Sequence, residues 1–168
     1  MSSLRVAIGF DPGLATTGYG VVCDGPGGWK AVAGGIIQTR AGTARAERLC
    51  TLHHEAQLLI ERHAPMGVAV EEVFFATNAQ TAMRTAEARG VLLMAAQGVP
   101  VRGYTPLQVK KRVTGYGKAS KWQVQAMVQR LLNLAEIPRP DDVADALALA
   151  LCYLLEEKGV CPRRDEYV

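Results

Sequence analysis

Residues 6–23 read VAIGFDPGLATTGYGVVC, and the reading of this stretch decides the fold. Val6 to Phe10 is a short apolar run that stops at Asp-Pro-Gly, and Tyr19 to Cys23 is a second that stops at Asp-Gly-Pro-Gly-Gly. Both predict strands closed by turns, because Pro presets the turn backbone and Gly accepts conformations other residues resist. Ala31 to Thr39 supplies a third apolar run. Three short strands with tight connections predict an antiparallel meander.

The period then changes. Leu49, Leu52, Ala56, Leu59 and Ile60 fall at helical spacing until Pro65 stops the run. Met66 to Val73 predicts a strand, Asn78 to Gln97 an Ala-rich helix, and Val99 to Tyr104 a strand after the break at Gly98. Helices are predicted over Pro106–Val113, over Ser120–Leu132 with Ser120 as N-cap, and over Asp141–Glu156. A meander followed by alternating helix and strand predicts an α/β domain, a mixed sheet with helices on its faces. The 168 residues suffice for one such domain, expected over 1–156, with 157–168 read as a flexible tail.

Composition narrows the class. The net charge is only +3, but Arg102, Lys110, Lys111, Arg112, Lys118 and Lys121 follow one another with no Asp or Glu between them, which favours an anionic partner. Cys23, Cys50, Cys152 and Cys161 lack zinc-site spacing and read as buried small apolar residues. The longest apolar segment, Val143 to Leu155, is shorter than the ~20 residues of a membrane span, and no signal peptide is read at the start. A cytoplasmic location is the resulting expectation.

The chemistry rests on carboxylates. Asp11 ends the first strand, although Asp-Pro-Gly is also a common turn. Glu71 and Glu72 interrupt an apolar strand and point to opposite faces, and no basic neighbour in sequence stands ready to pair with either. One of the two is therefore expected to bind a cation. Asp142 and Asp145, or Asp141 and Asp145, share a face at a helix start, with Asp141 the better capping candidate. If such groups converge, each pair ~4 Å apart repels by roughly 4 kcal/mol at an effective dielectric of 20. A cation must then hold them. All-oxygen donors favour Mg²⁺, with Mn²⁺ able to substitute, over Zn²⁺, and two such ions ~4 Å apart suit phosphodiester hydrolysis.

Taken in order, Gly9-Phe10-Asp11-Pro12-Gly13, Thr17-Gly18-Tyr19-Gly20, Val70-Glu71-Glu72-Val73-Phe74, Ala88-Arg89-Gly90 and Asp142-Val143-Ala144-Asp145-Ala146-Leu147 resemble the RuvC family of Holliday junction resolvases. The resemblance runs to about Leu155. It implies a ribonuclease H-like fold with a mixed five-stranded sheet and helices on both faces. It also implies the acidic set Asp11, Glu71, Asp142 and Asp145, holding two metal ions. The implied activity is symmetric nicking of two strands of like polarity in a four-way DNA junction, leaving 5′-phosphate and 3′-hydroxyl ends. A homodimer, joined through the Asn78–Gln97 helix, would work beside a branch-migration motor of the RuvA and RuvB type. By the same resemblance Phe74 stacks on unpaired bases, and Lys110 and Lys121 lie near the scissile phosphate, Lys121 within the catalytic set. Lys111, Arg112 and Lys118 are expected to extend the DNA-binding track. The opening Gly-Phe-Asp-Pro-Gly and Thr-Gly also resemble the first phosphate loop of actin-like and sugar-kinase ATPases, but those need two such domains and this chain has length for one.

Overall fold

The computed structural model describes residues 4–73 and 78–159. Five strands, β1 (Arg5–Asp11), β2 (Thr16–Gly25), β3 (Gly28–Gln38), β4 (Gly67–Glu71) and β5 (Val101–Tyr104), form one sheet in the order β3-β2-β1-β4-β5. β1, β2 and β3 pair antiparallel, as the meander predicts, while β4 and β5 add in parallel on the other side of β1. Five helices complete the chain: α1 (Arg45–His63), α2 (Ala79–Ala95), α3 (Pro106–Thr114), α4 (Lys121–Leu131) and α5 (Asp141–Glu157).

Strand alternation divides the core in two. Ile8, Phe10, Val68 and Val70 bury against Leu52, Ala56, Ala88 and Leu92 of α1 and α2. Ala7 and Ala69 point the other way, into a core filled by α5 with Val109, Val113, Val124 and Val128 of α3 and α4. The helices therefore cover both faces. α5, almost wholly buried from Val143 to Leu155, is the central helix.

That helix lies nearly on the backbone of the sheet. A Cβ on Gly9 would stand 2.0 Å from the carbonyl oxygen of Ala146, and one on Gly18 would stand 2.1 Å from that of Asp142. Only glycine permits this approach, and it brings the start of α5 to the end of β1.

Several expectations need correction. β4 stops at Glu71, so Glu71 ends the strand and Glu72 lies just beyond it. Glu72 does find a basic partner, Arg89 of α2, at 2.8 Å. Asp141 does not cap α5: Pro140 holds the N-cap position with no side-chain cap, and Asp141 is drawn instead to Arg139 at 2.5 Å and Lys121 at 3.4 Å. Cys152 is buried, but Cys50 is exposed and Cys23 only half-buried, because the α1 face carrying Cys50 turns to solvent. α5 includes Glu157, one residue past the expected domain end, and Glu157 and Lys158 are anchored, by Arg102 and by Asp24 (2.8 Å) respectively. Ser120 caps α4 as expected, in a reciprocal arrangement with Gln123.

Candidate active site

β1 and β4 run parallel in register from Ala7↔Gly67 to Phe10↔Val70, so Asp11 and Glu71 follow at neighbouring strand ends. Strand parity settles their direction. Asp11 follows Ala7 and Gly9, and Glu71 follows Ala69, all on the α5 face, whereas Glu72 shares the parity of Val70 and turns to α2. Asp142 and Asp145 lie in the first two turns of α5 over the same ends. α4 supplies Lys121, whose Nζ donates to Asp145 at 3.0 Å and lies 3.4 Å from Asp141.

Glu71, Asp145, Lys121 and Lys110 line one cleft of about 250 Å³, walled by the apolar side chains of Pro106, Val109, Val124 and Leu149. Asp11 and Asp142 are not among its lining residues, but their charges act on Asp145 or on each other. Burial, with repulsion from Glu71, Asp145 and Asp142, pushes the Asp11 carboxyl up to about 8, against the pull of Lys121. Burial and Asp145 likewise raise Glu71, and burial raises Asp145 despite its bond to Lys121. Burial draws the Lys121 ammonium down, but its bonds and charges with Asp145 and Asp141 outweigh this and leave it above its ordinary value. The causes are those expected of clustered carboxylates sharing too little positive charge.

The donor set fits a hard divalent ion. Its oxygens are carboxylate, partly shielded from water, and their mutual repulsion is the energy a cation would relieve. Among the described residues no three acidic, His or Cys side chains are gathered closely enough to ring one ion. A cation bound among them would have to share Asp145 with Lys121.

The other expected residues divide. Lys110 lines the cleft with Lys121, and Lys111 and Lys118 are exposed on α3 and on the loop before α4. Arg112 faces elsewhere, 3.4 Å from Glu156 and with its guanidinium 5.6 Å from the centre of the Tyr104 ring. Phe74 lies outside the described residues. Arg89 received no role from the sequence, yet its Nε donates to the Glu71 carbonyl at 3.1 Å and its Nη2 to Glu72 at 2.8 Å, tying the end of β4 to α2. The available signal was the second of two Arg in an Ala-rich helical stretch, 18 residues beyond Glu71.

Comparisons with known proteins show the family of this chain. The family described as Crossover junction endodeoxyribonuclease RuvC matches residues 7–153. A protein of that name from Syntrophomonas wolfei is 51% identical over 149 residues, 88% of this chain and 87% of its own. Another, from Caldicellulosiruptor saccharolyticus, is 44% identical over 162 residues, 95% of this chain and 98% of its own. The solved structure of Thermus thermophilus RuvC superposes with a TM-score of 0.87 at 37% identity, covering 94% of this chain and 98% of that one. The same protein in complex with a Holliday junction substrate also gives 0.87, covering 92% and 96%. A yeast mitochondrial Holliday junction resolvase, 11% identical, shares the fold with a TM-score of 0.63 over 88% of this chain and 78% of its own. This chain belongs to the RuvC family of crossover junction endodeoxyribonucleases.

Proposed function

We propose that this protein resolves four-way DNA junctions by metal-dependent nicking of two strands of like polarity, leaving 5′-phosphate and 3′-hydroxyl ends. The observation that carries the reading is the mutual repulsion of Asp11, Glu71 and Asp145, with Lys121 bonded to Asp145, on a fold shared with a RuvC seen with junction DNA. Asp11, Glu71, Asp142 and Asp145 would hold Mg²⁺, two ions in each site, with Mn²⁺ able to replace it. When bound, such ions activate a water and stabilise the leaving oxygen.

The residues of the chain do the rest. Asp11 must give up its proton to serve as a ligand, so at limiting metal activity rises with pH. Lys121, released from Asp145, offers its ammonium to the charge that builds on the attacked phosphate, and Lys110 holds the backbone from the opposite wall. Lys111 and Lys118 extend the track, making binding weaken with salt. Arg112 stands apart, since Glu156 already occupies it.

A homodimer would set two such sites on one junction. Ala79, Met83, Ala86, Gly90 and Met94 form an exposed stripe along one face of α2, small enough at its centre for a second helix to approach closely. We further assign Phe74 to base stacking, a branch-migration motor of the RuvA and RuvB type as the working partner, and the cytoplasm as the location. No helix among the described residues is long and apolar enough to cross a membrane. The test is incubation of the protein with a synthetic four-way junction, a linear duplex and an RNA duplex, each with and without Mg²⁺ or Mn²⁺. Paired, religatable nicks in the junction alone are expected. RNA cleavage, or tight junction binding without nicks, would overturn the reading.

A further inference from the structure

α4 has two working faces. Lys121 and Val124 turn toward the carboxylate cleft, while Trp122, Gln123, Ala126, Met127 and Arg130 turn away and, with Tyr116, line a second groove of about 300 Å³. Its two rims are aromatic and unusually bare: Trp122 is 66% exposed and Tyr116 55%. Folding gains little from an indole left so open to water, so packing within this chain does not account for it.

The electrostatic setting indicates what would cover these rings. Between Glu87 and Glu136 the sequence has no acidic residue, the one charged side chain lining the groove is Arg130, and the exposed Lys118 lies in the loop between Tyr116 and α4. An aromatic groove whose lining charge is cationic matches a nucleic acid strand, whose bases stack and whose phosphates need counter-charge. Trp122 directly follows Lys121, which bonds Asp145 at 3.0 Å, so one helix joins the groove to the carboxylate cleft.

We propose that the Tyr116–Trp122 groove is a nucleobase subsite. It takes a base of the junction strand that passes over α4, and so helps set which junction sequences are cleaved. The inference rests on the nuclease reading above, extending it to a site on the other face of α4.

The test uses the two tryptophans of the chain, Trp29 and Trp122. In a Trp29→Phe, Asp11→Asn protein, Trp122 is the sole indole and cleavage does not complicate titration. Adding four-way junction should quench its emission, and Trp122→Ala in a Trp29→Phe protein with Asp11 intact should lower junction affinity roughly 10-fold. The Ala variant should also alter the relative cleavage of junctions differing only in the bases flanking the cut, whereas Trp122→Phe restores the original pattern. An unchanged melting temperature in Trp122→Ala separates this from a folding defect. Unaltered Trp122 emission at saturating junction, or identical affinity and sequence preference in Trp122→Ala, would overturn the proposal. If the unsubstituted protein neither binds nor cuts junctions, the nuclease reading falls with it.

Discussion

Asp11→Asn should flatten the pH dependence that the carboxylate cluster imposes on folding. In the unfolded chain Asp11 ionises at its ordinary 3.8, whereas the folded protein holds its proton up to about 8. Between these values the folded state binds more protons than the unfolded state. Stability accordingly falls as pH rises through that window, by ~1.4 kcal/mol per pH unit, and levels off above about 8. From pH 5 to pH 8 the loss due to Asp11 is roughly 4 kcal/mol, or ~8–16 °C in melting temperature for a chain of this size. Asn keeps the shape and cannot ionise. In chelator, melts of the two proteins across that range should diverge, the wild type falling more steeply by about this amount. The raised Glu71 and Asp145 leave a residual slope of the same sign in both. Adding Mg²⁺ at pH 8 should restore the wild type far more than the variant, because the ion takes the place of the proton. Parallel melting curves in chelator would refute the claim that Asp11 bears the strain of the cluster.

Lys121→Met removes the bonds to Asp145 and Asp141 and should lower single-turnover junction cleavage by roughly 10²–10³-fold, while an ion pair this exposed contributes at most ~1 kcal/mol to stability by urea titration. Arg89→Ala frees the Glu71 carbonyl and the Glu72 carboxylate. Cleavage at limiting Mg²⁺ should fall about 10-fold, as for a displaced metal ligand, and saturating Mg²⁺ should recover part of it. Gly9→Ala would force a methyl group to within 2.0 Å of the Ala146 carbonyl oxygen. Loss of soluble protein, or destabilisation by about 3 kcal/mol or more in urea, is expected, and a normal melt would show that α5 can move aside.

The order of elements was legible because its signals are local: apolar periodicity and the Gly and Pro punctuation around 11–13, 24–28 and 138–140. Strand ends were less so, since pairing decides them. β2 begins at Thr16, earlier than its apolar run, because Thr16 finds Gln38 across the ladder. The choice between Glu71 and Glu72 depends on which face carries which helix, and only the assembled sheet supplies that, which is why residue pattern alone left it open. Asp141 had the right residue type for a cap, but Lys121 and Arg139 claim its side chain, and Lys121 is 20 residues away in sequence. Arg112 follows Lys110 and Lys111 in one basic run, yet a helix turns residues two apart to different sides, so Lys110 meets the cleft and Arg112 meets Glu156.

The place where these carboxylates gather follows from topology. β1 and β4 are parallel and adjacent, but the chain reaches β4 only after β2 and β3 have been laid down on the other side of β1. The connection after β1 therefore leaves in one direction and that after β4 in the other, opening a crevice at their carboxyl ends, where α/β sheets most often place a ligand site. Asp11 and Glu71 are the last residues of those two strands, so the sheet itself sets them at the mouth of the crevice. α5 completes the site from above, its first turns presenting Asp142 and Asp145, where the positive end of the helix dipole tempers the added negative charge. The glycines at 9 and 18 let this helix descend far enough for its charges to act on Asp11. The apolar core and the strained cluster are thus one construction: the same close seating of α5 that buries Val143 to Leu155 forces the carboxylates together, and packing supplies the free energy that their repulsion costs until a cation offsets it.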